Sequence, residues 1–504
     1  MLRIAKNLLV ILSFFTIFIC NIKAEVVKYQ ILIEEENRQI DSTNVTYLKL
    51  NNGNPPVISA IMNDDLEITV VNKSLKDMII HWHGLIVPNN MDGVVDVNMK
   101  PIKSGETFVY KFKVKQYGTF WYHAHGFEEA MGVRGAIVFY ENKIAKENDR
   151  SEVLIFEGDL GKDPIEVFKN LTGKNSEMKH GEMQNEEMKH GEMKHGEMQN
   201  EEMKHGEMKH SEMQNEEMKH GEMQNGGMGK SMMNHFSDVE YVDLLVNNKN
   251  VEVLDKLEDG RVRLRIINAF IDGFLNFKYS GGDMEIVSAD GVDVNPIKVD
   301  TLSVAMGETY DIVVRLKVGL AYELRAYLLG SKNNDYVSTF VGNGDKVYVN
   351  DENDSKNNQK YVSHYLELKS IIPSYLDYYK KNLNVKTKIE FNLKGNHQKY
   401  DFIIADSDGK KIDLMKIKLG DVIRVRIKNK TMMPHPMHLH GFFFKLIEFN
   451  GKTVDLIKHT INLEHMDYAV IEFVADAEGK WLYHCHNLFH MANGMMMIFE
   501  VEKK

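Results

Sequence analysis

The sequence predicts an all-β chain of three related Greek-key β-sandwich domains, and three observations predict it. One segment recurs three times, as Asp64 to Asn72 (DDLEITVVN), Gly260 to Asn268 (GRVRLRIIN) and Gly420 to Asn429 (GDVIRVRIKN). Each copy runs from a polar turn into an alternating strand that ends at Asn. In the last, Ile423, Val425 and Ile427 face one way while Arg424, Arg426 and Lys428 face the other. A second template repeats in Gly118 to His125 (GTFWYHAH) and Gly479 to His486 (GKWLYHCH), with Gly319 to Ala326 (GLAYELRA) as its expected middle copy. Finally, 504 residues suit about three domains. The bounds expected from these repeats are roughly 25–145, 150–350 and 385–504.

The N-terminus comes before the first domain. Residues 1–24 have the form of a secretory signal, with Arg3 and Lys6, an apolar run from Leu8 to Cys20, and a cleavage site near Ala24. The run is too short to span a bilayer comfortably, so no stable membrane insertion is expected. Bulky Ile19 before Cys20 argues against lipoprotein processing. The chain has two cysteines, and Cys20 leaves with the signal, so the exported protein keeps one thiol and no intramolecular disulfide. A net charge of −11 argues against a nucleic-acid partner.

In the first domain, His81-Trp82-His83-Gly84 begins nine residues beyond Asn72, and His123-Ala124-His125-Gly126 closes the second template. Asp92 stands in an Asp-Gly pair shortly after the first motif, where a turn residue is also common. The middle domain has lost the histidine pair: Phe277 stands nine residues beyond Asn268, with Tyr279 in the second position. No catalytic metal is therefore expected there.

The middle domain instead carries an insertion, residues 176–233, in which Met recurs every five residues. These are Met178, Met183, Met188, Met193, Met198, Met203, Met208, Met213, Met218, Met223 and Met228. Five residues advance a helix by about 140°, so the methionines wind round it and form no stripe. With almost no other apolar residue the segment cannot bury a core, and disorder is expected. A repetitive solvated loop is the bland alternative. The choice of residue argues otherwise, because exposed thioethers are oxidisable yet are soft ligands suited to Cu(I).

The third domain holds the densest chemistry, in His435-Pro436-Met437-His438-Leu439-His440 and Trp481 to Met497 (WLYHCHNLFHMANGMMM). In a strand, alternate side chains face opposite ways, so Cys485 points away from His484 and His486. One tripeptide can thus serve two metal centres. A thiolate, two imidazoles and a weak axial Met make the ligand set of a blue-copper electron-transfer site. Cys485, His490 and Met495 supply three of these ligands, and the upstream HPMHLHG motif offers the remaining histidine.

Four HxH pairs, one of them enclosing the only Cys of the exported chain, resemble the copper-binding signatures of the multicopper oxidases. HWHGLIVPNNMDGV, YKFKVKQYGTFWYHAH and ADAEGKWLYHCHNLFHM resemble the bacterial copper-resistance subgroup most. The resemblance implies cupredoxin-like domains and four copper ions. Type 1 copper would take His435, Cys485, His490 and Met495, and type 2 copper His81 and His438. The type 3 pair would take His83, His123, His125, His440, His484 and His486. Asp92 matches an acid that relays protons near the cluster in many members. The chain departs from the subgroup in lacking a twin-Arg signal and in the regularity of its pentapeptide array.

Implied is an oxidase that passes single electrons from a reductant to dioxygen in the periplasm. Cu(I) is the foremost substrate, with copper tolerance as the outcome and periplasmic copper carriers as candidate partners. A laccase-like oxidase using a small-molecule reductant and a ferroxidase are the alternatives within the enzyme class. A copper-sequestering protein is the alternative outside it, although a sponge has no need of a cysteine-coupled cluster.

Overall fold

The computed structural model describes residues 25–40, 42–173, 236–257, 259–350, 360–381, 383–397 and 399–504. The signal-peptide and Met-rich readings fall outside the described residues. Among the described residues, strands form six sheets that pack as three sandwiches. In the first sandwich, Thr43–Leu50, Val26–Ile40, Asp65–Asn72 and Thr107–Lys113 face Ile58–Ile61, Arg134–Tyr140, Gly118–Ala124 and Ile80–His83 across a shared apolar core. The middle and third sandwiches repeat the scheme with larger sheets, and their cores run together as one apolar cluster. No helix is long and apolar enough to cross a membrane among the described residues.

The thrice-repeated segment forms the same strand in each sandwich. Asp65–Asn72, Gly260–Asn268 and Val422–Asn429 each pair in parallel with the opening strand of their sandwich and antiparallel on the other side. The terminal Asn has a physical reason. Asn72 Nδ2 donates to the carbonyls of Lys76 (2.7 Å) and Ile102 (2.9 Å). Asn268 Nδ2 donates to Gly273 and Val304 (both 2.9 Å), and Asn429 Nδ2 to Met433 (2.7 Å) and Leu463 (2.9 Å). Each buried amide ties a carbonyl of the irregular loop that follows to one of a segment 30 or more residues further on, and an unpaired group there would cost about 1–3 kcal/mol. In the first and third sandwiches that loop leads into a histidine-bearing strand, so the staple positions it.

The expected middle copy of the second template needs a correction. His81 pairs with His123 and His438 with His484, so the template would set Leu324 opposite Phe277. Phe277 in fact pairs with Ala326, and Tyr279 with Leu324. The strand Gly319–Leu328 runs ten residues where its counterparts run seven. A slip of two keeps the same side chains facing inward, so alternation alone cannot detect it.

At the lost histidine positions, Phe277 is wholly buried and Tyr279 donates its hydroxyl to Arg315 O at 3.0 Å. Core packing fills the space that the paired histidines occupy in the other sandwiches. We expect an anomalous diffraction map at the copper edge to show no ordered catalytic copper between residues 240 and 340; a peak there would refute it.

Candidate metal centres

The strand Gly479–Cys485 lies between His435–Leu439 and Met496–Glu502, with Met437 opposite Cys485 and His438 opposite His484. Alternation sends Cys485 one way and its histidine neighbours the other. On the cysteine side, Sγ stands 3.6 Å from His435 Nδ1 and 3.8 Å from His490 Nδ1, and the two nitrogens are 3.1 Å apart. His490 is delivered by a short helix, Leu488–Ala492, whose cap Asn487 accepts from the amides of Phe489 and His490. Asn487 is itself tied to Asp272 Oδ1 of the middle sandwich (2.8 Å). Met495 is fully buried beside them, its amide donating to His490 O and its carbonyl accepting from Cys485 N, both at 3.0 Å.

The outer nitrogens of both imidazoles are already engaged. His435 Nε2 lies 2.6 Å from Thr431 Oγ1, and His490 Nε2 lies 3.2 Å from Asp238 Oδ2. The inner Nδ1 atoms are thereby left to converge with the sulfur. Burial alone would raise the Asp238 carboxyl, but hydrogen bonds from His397 and His490 hold it below the usual carboxylate range. Burial pushes the Cys485 thiol well above its usual range. A thiolate at this position needs a cation against it, which a metal supplies.

On the other side of the strand eight imidazoles gather at the junction of the first and third sandwiches. His81 stacks on His440 and His83 on His438, each pair with centroids 3.8 Å apart. His125, His440 and His484 offer ring nitrogens within 4.8 Å of one another, and His440 Nε2 approaches His484 Nε2 to 3.0 Å. The rings of His83, His123 and His486 lie 4.8 to 5.7 Å apart by their centroids. The two remaining rings, His81 and His438, are 5.8 Å apart.

Backbone carbonyls fix several of these rings. Nδ1 of His81 donates to Asp92 O (2.7 Å), that of His123 to Ala124 O (2.8 Å), that of His438 to His459 O (2.9 Å) and that of His484 to Cys485 O (2.8 Å). A carbonyl only accepts, so the proton sits on Nδ1 and Nε2 carries the lone pair. Glu129 reinforces His123, its Oε2 lying 3.0 Å from Nδ1. This residue occupies the place that His490 holds in the third sandwich.

These residues fit copper. His81 Nε2, His83 Nδ1, His123 Nε2, His125 Nε2, His438 Nε2 and both nitrogens of His486 are buried without a hydrogen-bond partner in the protein. Each such atom costs about 1–3 kcal/mol unless a ligand meets it. Burial, then neighbouring imidazoles, pushes His81, His83, His125, His438 and His440 well below the usual histidine range. They stay neutral, as metal ligation requires.

Asp92 sits under the cluster, fully buried. Its Oδ2 accepts from Asn98 Nδ2 (2.9 Å) and lies 3.0 Å from His440 Nδ1. Burial pushes its carboxyl up to about 7, against the lowering effect of Asn98. Every histidine, cysteine and acid singled out in the sequence for these centres is thus brought into one of two adjoining sites. Asp238, His459, Thr460 and Asp290 carried no recognisable motif and emerge only from the packing.

Family models agree with this geometry. Three descriptions, all of multicopper oxidases, match residues 33–144, 195–343 and 382–504. The chain belongs to the multicopper oxidase family. It is an oxidase by that membership, and copper is the cofactor of the family. It is 26% identical to a copper resistance protein A homolog of Pseudomonas syringae pv. tomato, over 94% of this chain and 92% of that protein. It is 25% identical to copper resistance protein A of Escherichia coli, over 90% of this chain and 89% of that protein. In fold it is similar to Fet3p, described as a multicopper oxidase that functions in iron import, with a TM-score of 0.71 and 16% identity over 95% of this chain and 91% of that one.

Proposed function

We propose that this multicopper oxidase takes single electrons from Cu(I) and delivers them to dioxygen, in the periplasm, as part of copper tolerance. One observation carries the choice of substrate: the chain on either side of the Met-rich insertion lies against the cysteine-side centre. Before it, Phe168 of the helix Pro164–Thr172 packs on Phe489, the neighbour of His490, with ring centroids 6.5 Å apart. After it, Asp238 holds His490 Nε2. The soft thioethers that the sequence carries between these two anchors would gather cuprous ions for the centre where electrons enter. The copper-resistance proteins of Pseudomonas syringae and Escherichia coli support the same outcome by likeness.

In this reading His435, Cys485, His490 and Met495 hold the type 1 copper. His81 and His438 hold the type 2 copper, and His83, His123, His125, His440, His484 and His486 the type 3 pair. With four coppers bound, the chain acquires one-electron chemistry at the thiolate centre and the capacity to take dioxygen to water at the cluster. The protein's own part is to join the two centres through Cys485 and its neighbours His484 and His486. It also keeps the imidazoles neutral and excludes water behind Trp121, which stacks on His123 at 4.2 Å. Periplasmic copper carriers are candidate donors of the substrate.

A second reading, as a ferroxidase, draws on the Asp238 carboxylate at His490, since iron favours oxygen ligands. One experiment separates the two. Deleting residues 176–230 is expected to leave all four coppers in place, because closing a long loop changes its entropy only slowly with length. Oxidation of dilute Cu(I) should fall, while at saturating copper the deletion and the wild type converge, since gathering substrate alters capture rather than turnover. Oxidation of phenols or Fe(II) should persist. Replacing every Met from Met178 to Met228 by Leu should mimic the deletion for Cu(I). Unchanged rates with dilute Cu(I) in both variants would make the segment a solvated loop only and take away the main support for copper as the substrate.

A further inference from the structure

An eleventh imidazole, His459, stands at the cluster beyond the ten in the two centres, and its role follows from its neighbour. Ring nitrogens of His83, His438 and His459 lie within 4.8 Å of one another, as three ligands of one ion would. That position is taken by a hydroxyl. Thr460 Oγ1 is 3.3 Å from His83 Nε2, 3.0 Å from His438 Nδ1 and 3.1 Å from His459 Nδ1. A hydroxyl donates once and accepts twice. His438 Nδ1 carries its proton, because it also donates to the His459 carbonyl at 2.9 Å. If His83 Nε2–H donates as well, the hydroxyl gives its own proton to His459 Nδ1 and all three of its bonding positions are used. His83 is then left with a lone pair on Nδ1 and His438 with one on Nε2, both without a partner in the protein, while the His459 proton sits on its Nε2, which also has none.

The hydroxyl is held from outside its own sandwich. The amides of His459 and Thr460 donate to Asp290 Oδ2 of the middle sandwich at 3.2 and 3.0 Å. Lys458 Nζ lies 3.2 Å from that same oxygen and 3.1 Å from Glu308 Oε1, with all three side chains fully buried. Tyr365 donates to Glu308 Oε1 at 2.6 Å, and Asp290 Oδ1 accepts from Thr309 N at 3.1 Å. A buried ion pair is weak evidence for stability but fixes geometry, because breaking it leaves a charge uncompensated.

We propose that Thr460 is a positioning residue for the mononuclear side of the cluster, setting the tautomers of His438 and His83, and that the ligand-free middle sandwich holds it there through Asp290. The proposal rests on the ligand assignment given above. It gives the middle sandwich a part in copper binding without a ligand of its own: Asp290 acts on the metal through Thr460 and then through two imidazoles.

The test compares copper-loaded wild type with Thr460→Val and Thr460→Ser, reading copper per chain under chelator competition, the electron paramagnetic resonance spectrum and the blue absorption. Thr460→Val keeps the shape and loses the hydroxyl. It should retain the blue absorption while its mononuclear copper binds about 10–100-fold more weakly, the usual effect of removing a hydrogen bond to a metal ligand, with an altered mononuclear signal. Thr460→Ser restores the hydroxyl and should restore both. Should the valine variant fail to fold, Thr460→Ala removes the hydroxyl without adding apolar bulk and is expected to show the same loss. Wild-type retention and spectrum in a folded Val or Ala variant would overturn the proposal, as would a folded Ser variant as leaky as valine. A wild type that loads no mononuclear copper would overturn the ligand assignment itself, and the role of Thr460 with it.

Discussion

Cys485→Ser is expected to abolish the blue absorption and all oxidase turnover while leaving the protein folded. The sulfur stands 3.6 Å from His435 Nδ1 and 3.8 Å from His490 Nδ1, so it completes a donor set that no other thiol among the described residues can supply. Its backbone neighbours His484 and His486 reach the cluster, so the same residue is both ligand and conduit between the two centres. A serine hydroxyl fits the space and leaves at most one polar group short of a partner, costing about 1–3 kcal/mol of a domain's stability. The fold should therefore survive. Metal analysis should find the type 1 copper missing and the mononuclear signal still present. A variant that remains blue would show that the thiolate lies elsewhere and would remove the assignment of the type 1 centre.

The candidate ligands were legible because their spacing is local. HxH places two imidazoles on one face of a strand, and His-Cys-His places a thiolate on the opposite face, whatever the rest of the chain does. The three sandwiches were legible because an alternating strand ending at Asn recurs, and Asn72, Asn268 and Asn429 make the same buried amide contacts in all three. The middle register was not legible. Leu324 and Ala326 both point inward, and with no histidine to mark the position a slip of two residues leaves the pattern unchanged.

The groups that orient the ligands were hidden for a different reason. Asp238 reaches His490 across 252 positions of sequence, and Asp290 reaches His459 across 169. Neither contact has a periodicity or a spacing, because each is made by the packing of one sandwich on another. Glu129 is the intermediate case. It stands four residues beyond His125, as His490 stands four beyond His486, but its hold on His123 depends on how the loop after the strand turns back. Sequence therefore reports which atoms can bind metal, and the interfaces decide which of their tautomers are available.

Asp92→Asn is the change expected to separate proton delivery from ligand orientation. The sequence casts Asp92 as a proton relay, and the structure adds a second task. Oδ2 lies 3.0 Å from His440 Nδ1 and accepts from Asn98 at 2.9 Å, so the side chain also orients a cluster ligand. Oδ1 has no hydrogen-bond partner in the protein and lies 3.5 Å from His81 Nδ1, which already donates to the Asp92 carbonyl at 2.7 Å. This oxygen is the one left to exchange a proton. An amide at the same place keeps an acceptor for His440 but cannot pass a proton on. All four coppers and both resonance signals should remain in Asp92→Asn, and anaerobic bleaching of the blue colour by substrate should be as fast as in wild type. Steady dioxygen consumption should fall about 10²–10⁴-fold, the range that positioned proton transfer contributes. Asp92→Ala removes the acceptor as well, and should loosen copper about 10–100-fold. If the Asn variant consumes dioxygen at the wild-type rate while the Ala variant sheds copper, Asp92 serves only to orient His440, and the protons arrive by another route.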